Sequence, residues 1–308
     1  MKREPLIRHP KNPILTPEQM PFRCYTVMNS GATLFNDEVL LMLRVEDCER
    51  RTRFVIATSK NGIDFKIWDK PIQYPMNQTE KFVGGRLHRF DARITYLEGK
   101  YYICHASWLD NYGCVAAMAS TTDFIHFEPV PYTSEPSNRN AVLFPEKISG
   151  LFARLDRPQG TDGSGHIWVS YSPDLIFWGK SLPVKELPAT DWNRAHNGAG
   201  AIPIKTEKGW LEIYHATAPT CSSTNYYLGA VLLDLQDPSK VIAAPREYIL
   251  AAEKDYECMG QTPNVVFTSG AVELPDGTLN IYYGGADTRM CLAQTTVNDL
   301  VEFCLNSK

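Results

Sequence analysis

The chain has 308 residues, of which 44% are hydrophobic and 21% charged, and its formal net charge is −4. This weak negative charge without any basic block argues against nucleic acid as a partner, and no apolar run is long enough to cross a membrane. The charged first residues are followed by no apolar segment, so we expect no signal peptide and predict a cytoplasmic protein.

The eight cysteines are scattered along the chain, and no two have the CxxC spacing of a zinc or redox motif. Several lie inside apolar strand patterns, where a cysteine acts as a small buried hydrophobe. We therefore expect neither a disulfide framework nor a metal site.

A segment made of a tight polar turn and an apolar or aromatic strand recurs five times. The turn residues are Asp37, Gly99, Gly150, Gly209 and Gly277. Their spacing of roughly 60 residues leaves room for about four short strands in each repeat. The sequence therefore predicts an all-β fold, a five-bladed β-propeller that forms one domain over residues 1–308 with its active site in the central funnel. We expect the N-terminal segment to pack beside the last blade, because an open ring would leave strand edges unpaired.

A second element, a hydroxyl residue followed by a polar turn and an aromatic residue, supports this count. It begins at Ser59, Thr121 and Ser172, and weaker copies begin at Asp237 and Val297. Such stretches are typical of outer hairpins, in which the aromatic ring packs between blades. A generic β protein with similar turns is the alternative, and the repetition of two elements in one order disfavours it.

The segment before each turn is the predicted innermost strand of a blade, which lines the channel. These segments are 28–32, 90–93, 138–145, 196–200 and 262–266. With the ends of the second strands they place more basic groups than carboxylates in the funnel. The carboxylates are Asp47, Asp91 and Asp287, and the basic groups are Arg44, Arg51, Arg93, His105, Arg139, Arg154, Arg157, His196 and His215. We expect Arg93 and one of Arg154 and Arg157 to form ion pairs between blades instead.

The excess of basic groups favours an anion as one reactant. An inverting glycosidase needs two carboxylates, one to protonate the leaving oxygen and one to activate water. Arginine and histidine instead suit phosphate, which they bind through charge-assisted hydrogen bonds. The funnel therefore favours phosphate over water as the second reactant.

At these positions the chain resembles the β-mannoside phosphorylases of glycoside hydrolase family 130, which are five-bladed. The resemblance runs from residue 12 over nearly the whole chain, and it is most specific in the stretches NRNAVLFPEK and GGADT. The matching positions are 29–32, Arg44, Arg51, Asp91 in FDARI, 138–147, 155–158, 198–200, Tyr214, His215 and 283–287.

The resemblance implies roles for these residues. Asp91 would be the proton donor and the only catalytic carboxylate, its proton reaching the glycosidic oxygen through the 3-hydroxyl of the mannosyl unit. Phosphate would be bound by Arg139, Arg157, His196 and His215. The mannosyl ring would be bound by Asn29, Ser30, Arg44, Arg51 and Asp287. Direct displacement would convert a β-mannoside to α-mannose 1-phosphate, with inorganic phosphate as co-substrate and no cofactor.

One position departs from a common family pattern and bears on the linkage that is cleaved. Many members that act on β-1,4 linkages have lysine where this chain has His196, and imidazole is a weaker cation with a reference pKa of about 6.5. The opening stretch PKNPILTPEQMPF looks more like members that act on β-1,2-mannobiose and its oligomers. We therefore favour β-1,2-linked over β-1,4-linked mannosides. The family often forms homo-oligomers.

Three alternatives stay open. A β-mannosidase on the same fold would use water, but hydrolytic members lack part of the basic set present here. A non-catalytic sugar-binding propeller would not need a lone carboxylate beside a cation cluster. A furanosidase-type propeller would need a third axial acid, which is not evident near a blade start. We expect the acceptor to be selected by the rim segments 76–89 and 221–227.

Overall fold

The structure is a computed structural model that describes residues 5–85, 87–160, 164–185 and 187–306. In these ranges 22 strands form five antiparallel sheets, which are the blades of a β-propeller. The predicted all-β, five-bladed fold is confirmed. No helix of the described ranges is long and apolar enough to cross a membrane.

The blades follow one another along the chain, and their first strands lie innermost, in contact around the axis. Strand β1 (Ile7–Arg8) precedes the first blade. Blade I contains β2 (Cys24–Phe35), β3 (Glu38–Asp47), β4 (Thr52–Ser59) and β5 (Lys66–Ile67). Blade II contains β6 (His88–Leu97), β7 (Lys100–Leu109), β8 (Gly113–Thr121) and β9 (Glu128–Pro129). Blade III contains β10 (Asn138–Leu143), β11 (Phe152–Pro158), β12 (Trp168–Ser172) and β13 (Gly179–Pro183).

Blade IV has two additional short strands, and blade V takes one of its strands from the N-terminal segment. Blade IV contains β14 (His196–Ala199), β15 (Ile204–Thr206), β16 (Gly209–Pro219), β17 (Thr224–Leu233), β18 (Val241–Ala243) and β19 (Leu250–Ala251). Blade V contains β20 (Val266–Glu273), β21 (Thr278–Gly285) and β22 (Arg289–Thr296), with β1 at its outer edge. The α-helices are α1 (Gln78–Val83), α2 (Asp255–Cys258) and α3 (Val297–Asn306), and a 3-10 turn covers Pro17–Gln19.

The recurring polar turn joins the innermost strand to the second strand in blades I, II, III and V, as predicted, and in blade IV it joins β15 to β16. Asp37, Gly99, Gly150 and Gly277 have φ values between 60° and 83°. Glycine adopts this left-handed region without strain, and Asp does so more readily than most residues. The two strands therefore pair directly on either side of the turn, and the end of the second strand lies beside the start of the first.

The outer hairpins follow the second element at its clear copies. The Phe124 N–H donates to Thr121 Oγ1 at 3.0 Å, and the Leu175 N–H donates to Ser172 Oγ at 2.8 Å. The weaker copy at Val297 was a wrong prediction, because helix α3 begins there. In this segment the buried residues Leu300, Val301 and Cys304 have helical spacing and pack against blades IV and V.

The ring is closed by the N-terminal segment, as predicted. Strand β1 pairs with β22, with Ile7 beside Gln294 and Arg8 beside Ala293. The Arg8 Nε also donates to Glu257 Oε1 at 2.8 Å. The last blade therefore has a fourth strand that comes from the other end of the chain.

The core consists of five apolar clusters, one between each pair of neighbouring blades. Fully buried members of the successive clusters are Ile103, Leu143, Trp210, Leu211 and Tyr282. Because every blade packs tightly on both neighbours, the innermost strands are held at fixed distances around the axis. This rigid ring positions the site described next.

Candidate active site

The innermost strands of blades I, II and III each shift their register at one polar residue. The residues are Asn29, Asp91 and Asn140, and their φ values of 45°, 57° and 56° are left-handed. The pairing shifts at the same points of the three sheets. Asn and Asp tolerate this conformation, and a bulge changes the direction of the side chain that it carries. The repeat therefore provides one equivalent polar position in each of these three blades, and blade II has a carboxylate there.

Asp91 lies in a polar pocket that it forms with blade I. Asn29 Nδ2 donates to Asp91 Oδ1 at 3.0 Å, and Arg44 Nη1 donates to the same oxygen at 3.1 Å. Asp91 is 8% exposed, and the Arg44 guanidinium packs over the Phe90 ring at 5.1 Å. Both of these hydrogen bonds fall on Oδ1. They fix the orientation of the carboxyl group in the pocket.

Asp287, just after strand β21, belongs to the same group of side chains. Partial burial raises the pKa of Asp287, and the Asp91 charge adds to this rise against the charge of Arg44. Gly284 is needed nearby, because a Cβ on it would overlap the Asn29 amide oxygen. The close approach explains one glycine of the GGAD stretch. These residues form the acid group of the site.

Two arginines of blade III lie side by side next to this group. Arg139 on β10 is paired in register with Arg157 on β11, and Arg157 is 6% exposed. Arg139 Nη2 donates to Gln159 Oε1 at 3.1 Å, whereas Arg157 Nε has no partner in the described ranges. Burial and the Arg139 charge lower the pKa of Arg157 to about 10. No ion pair of either guanidinium is seen among the described residues, so the two are suited to bind an anion.

Two histidines of blade IV stand beside these arginines. Burial, followed by the Arg157 charge, lowers the pKa of His196 to about 4 and that of His215 well below its usual value. His215 is buried, its Nδ1 has no partner in the described part of the chain, and its ring centroid lies 4.5 Å from that of Phe267. Both imidazoles are therefore neutral at pH 7. With the two arginines they form the anion-binding group of the site.

A glycine lets the histidine and the arginine share this space. A Cβ on Gly198 would lie 2.6 Å from His215 Cε1 and 3.1 Å from Arg157 Cδ. No larger residue fits at this point of β14 without moving one of them. The requirement gives a physical reason for the first glycine of the GAG stretch at 198–200.

Tyr226 on β17 connects the two groups and was missed by the sequence analysis. Partial burial and the charges of Asp287 and Asp91 raise the pKa of its phenol, while Arg157 and Arg139 lower it. The phenol therefore lies within electrostatic reach of both carboxylates and both arginines. This stretch was predicted to be a rim loop, and the signal that marks it as a strand is the pattern of TNYYLGAV.

Two of the predicted mannosyl-binding residues make other contacts. Arg51 lies half-buried at the β3–β4 hairpin, where its Nε donates to Asp47 Oδ2 at 3.2 Å. Ser30 is buried, and its hydroxyl donates to the Gly31 carbonyl oxygen at 2.7 Å. The structure thus places Arg51 at the rim and gives the Ser30 hydroxyl a main-chain partner. Their roles towards a sugar stay predictions.

Two predicted funnel residues lie away from the axis. His105 is buried between blades I and II, with its ring centroid 5.1 Å from that of Tyr74. Arg154 Nε pairs with Asp156 at 3.0 Å on the same strand, so this ion pair lies within blade III and does not link two blades as predicted. Arg93 does link blades, but its hydrogen bonds in the described ranges go to main-chain carbonyl oxygens and not to a carboxylate. Among the described residues, no group of three His, Cys, Asp or Glu is placed to hold a metal ion.

Comparison with known proteins identifies the family. The family model of glycoside hydrolase family 130, described as β-1,4-mannooligosaccharide phosphorylase, matches residues 3–306. The chain belongs to glycoside hydrolase family 130. This confirms the family predicted from the sequence and its assignment as an enzyme.

Relatives in family 130 match nearly the whole chain. A β-1,4-mannooligosaccharide phosphorylase of Ruminococcus albus is 34% identical over an alignment of 307 positions that covers 96% of this chain and 90% of that protein. A 1,2-β-oligomannan phosphorylase of a Thermoanaerobacter species is 36% identical over 94% of this chain and 96% of that protein. The structure of the Listeria innocua β-1,2-mannobiose phosphorylase in complex with β-1,2-mannobiose has a TM-score of 0.87 at 28% identity, covering 97% of this chain and 99% of that one.

Proposed function

We propose that the protein catalyses the inverting phosphorolysis of β-mannosides to α-mannose 1-phosphate and a shortened sugar. The observation that carries the proposal is the anion-binding group: two adjacent arginines and two neutral histidines beside a hydrogen-bonded acid. Such a group favours a phosphate ion as the second reactant. Relatives named as phosphorylases of both 1,2- and 1,4-linked mannosides support phosphorolysis.

In this proposal the site residues have three roles, and the whole chain acts as one catalytic domain. Asp91 is the proton donor. The phosphate-binding residues are Arg139, Arg157, His196 and His215, which Tyr226 joins. The mannosyl-binding residues are Asn29, Ser30, Arg44, Arg51 and Asp287.

The reaction needs one acid and no catalytic base. A phosphate oxygen attacks the anomeric carbon as the bond from that carbon to the leaving sugar oxygen breaks. The Asp91 proton passes, through the 3-hydroxyl of the mannosyl unit, to the leaving oxygen. Because phosphate is already an anion, no second carboxylate is required to deprotonate the nucleophile, in contrast to hydrolysis with inversion. Attack from the face away from the leaving group converts the β-linkage to an α-phosphate.

For the linkage, we propose β-1,2-mannosides as the favoured substrates over β-1,4-mannosides. Support comes from His196, which stands where many members acting on β-1,4 linkages have lysine, and from the 1,2-linked substrate named for the Thermoanaerobacter relative. The Ruminococcus albus relative, at 34% identity, is named for β-1,4 linkages, so overall similarity does not decide the linkage.

Product analysis tests both parts of the proposal. The protein is incubated with β-1,2-mannobiose and with β-1,4-mannobiose, each with and without inorganic phosphate. We expect mannose 1-phosphate only when phosphate is present, and faster from the 1,2-linked substrate. Equal release of mannose with and without phosphate, without any mannose 1-phosphate, would establish the β-mannosidase alternative instead. Faster turnover of the 1,4-linked substrate would overturn only the linkage assignment.

A further inference from the structure

One buried arginine reaches from the acid group to a blade that is not adjacent. Arg93 is fully buried and follows Asp91 by two residues on β6 of blade II. Its Nη1 donates to the Asp91 carbonyl oxygen at 3.2 Å. Its Nη2 and Nε donate to the carbonyl oxygens of Ala199 and Gly200, at 3.0 Å and 3.3 Å. These two residues belong to the innermost segment of blade IV, so the side chain spans the axis past blade III.

The carbonyl groups that Arg93 contacts on blade IV are themselves fixed. The Gly200 N–H donates to Glu212 Oε1 at 3.0 Å, and Glu212 is fully buried on β16. A Cβ on Gly200 would overlap the Ile213 carbonyl oxygen, so the two strands touch at this point. The guanidinium also packs over the Phe267 ring of blade V at 5.7 Å. Arg93 therefore joins three blades at a rigid point of the ring.

The partners of Arg93 differ from those of an arginine that serves stability alone. Burying a guanidinium is destabilising unless its donors are satisfied. Arg154, also buried, has a carboxylate partner in Asp156 at 3.0 Å. The hydrogen bonds of Arg93 in the described ranges go to main-chain carbonyls, one of which belongs to the acid itself. The Arg93 guanidinium therefore lies between the bulge at Asp91 and strand β14, which carries His196.

We propose that Arg93 is a positioning residue, which clamps the bulge of Asp91 and fixes this acid relative to the anion-binding strand of blade IV. The inference rests on the proposed role of Asp91 as proton donor. Asp91 has a left-handed φ of 57°, and without the bond to its carbonyl oxygen the bulge can relax and turn the side chain. A misplacement of about 1 Å can lower turnover about 100-fold.

A double-mutant cycle tests this proposal. Arg93→Met, Asp91→Asn and the double variant are compared for kcat on the mannobiose that the wild type converts. We expect Arg93→Met to lower kcat by roughly 10- to 100-fold in the wild-type background. In the Asp91→Asn background the same change should lower it by less than about threefold, because a residue that acts through the acid has no further effect once the acid is lost.

Arg154→Met is the matched control for the cycle. It removes another buried arginine, one that contacts Asp156 and packs over Trp178 at 4.0 Å rather than touching the acid. It should lower the melting temperature and should change kcat by the same factor with and without Asp91. A second readout uses 4-nitrophenyl β-mannoside, whose leaving group needs little protonation. Arg93→Met should impair its turnover about tenfold less than that of mannobiose.

Several results would overturn the proposal. One such result is that Arg93→Met lowers kcat by the same factor with and without Asp91. Another is that it lowers turnover of mannobiose and of the nitrophenyl mannoside equally. Either result would show that Arg93 is a stabilising or phosphate-binding residue. If Arg93→Met does not fold, Arg93→Lys is used in its place, and failure of both to fold would assign the residue to stability. Mannose release is measured whether phosphate or water is the acceptor, so failure of the phosphorolysis proposal is visible in the wild type and is separate from this test.

Discussion

The acid group and the anion-binding group lie side by side in one funnel and differ in how their charges are balanced. In the acid group, Asp91 receives hydrogen bonds from Asn29 and from Arg44 at 3.0 Å and 3.1 Å. In the anion-binding group, Arg157 is buried next to Arg139, and burial and this like charge lower the pKa of Arg157 to about 10. The first group contains an ion pair between Arg44 and Asp91, whereas no ion pair is seen for the two arginines of the second group among the described residues.

This difference indicates which part of the site favours ligand binding at the expense of stability. Like charges that are brought together in a buried site destabilise the fold, and such sites are typical of ligand-binding positions. We therefore expect substitutions in the acid group to affect turnover above all. Substitutions in the anion-binding group should weaken phosphate binding and stabilise the free protein.

The largest effect is expected for the acid itself. Asp91→Asn keeps the shape of the side chain and removes the transferable proton, so kcat for phosphorolysis should fall by about 10²–10⁴. Binding of the mannoside, measured by calorimetry, should persist because the other sugar contacts are unchanged. A folded Asp91→Asn variant with near-normal turnover would remove Asp91 from the mechanism and leave Asp287 as the next candidate.

A substitution in the anion-binding group is expected to have a smaller effect on activity and to stabilise the free protein. Arg157→Met should raise KM for phosphate by roughly 10- to 100-fold, the effect of losing a charge-assisted contact of about 1.5–3 kcal/mol. It should also raise the melting temperature of the free protein, since a buried cation that has no ion pair among the described residues is removed. Arg154→Met, in the same strand, is the control and should lower the melting temperature without changing KM for phosphate. A fall in melting temperature for both variants would contradict the proposed imbalance.

The sequence predicted the ring well because its signals are local. The turn at Gly99 or Gly277 determines the pairing of two consecutive strands, and repetition of such turns determines the number of blades. Asp91 could be placed at the start of an innermost strand for the same reason. Its equivalence to Asn29 and Asn140 was not predicted, because a bulge is a feature of strand pairing and not of composition.

Contacts across the ring were beyond the reach of sequence reasoning. His105 was predicted in the funnel because a strand end was recognised, but the face of a strand alternates with each residue and its side chain points between blades. Tyr226 was placed in the rim segment 221–227, whereas it lies on strand β17. The link from Arg93 to Gly200 joins residues that are more than 100 positions apart, and no local pattern marks such a pair.

A third prediction concerns protons taken up when an anion binds. In the free protein the pKa of His196 is lowered to about 4 and that of His215 lies well below its usual value, first through burial and then through the neighbouring arginine charges. A bound anion offsets the positive charge of the arginines and raises the pKa of both histidines towards its ordinary value. We expect net proton uptake at pH 6 that declines towards pH 8.

Calorimetry in buffers of different ionisation enthalpy measures this uptake. Sulfate is the preferred probe because it does not titrate in this range, whereas phosphate changes its own protonation. His196→Gln, which cannot titrate, should reduce the uptake and serves as the control. Sulfate binding without proton uptake at pH 6 would show that the histidines do not sense the anion.

The smallest effect is expected at Glu212, behind the strand that Arg93 contacts. Burial raises the pKa of this carboxyl well above its ordinary value, and Oε2 has no partner in the described ranges. The folded state then keeps a proton that the unfolded chain releases above about pH 4.3. The stability contribution of Glu212 is therefore complete below that pH and is lost as the pH rises towards the folded-state pKa, by at most about 1.4 kcal/mol per pH unit.

Glu212→Gln keeps a neutral acceptor for the Gly200 N–H and does not titrate, so denaturant unfolding should show the variant gaining stability relative to the wild type between pH 5 and pH 8. If the variant is instead less stable than the wild type by a margin that stays constant over this range, Glu212 is ionised in the folded state and paired with the Arg93 charge.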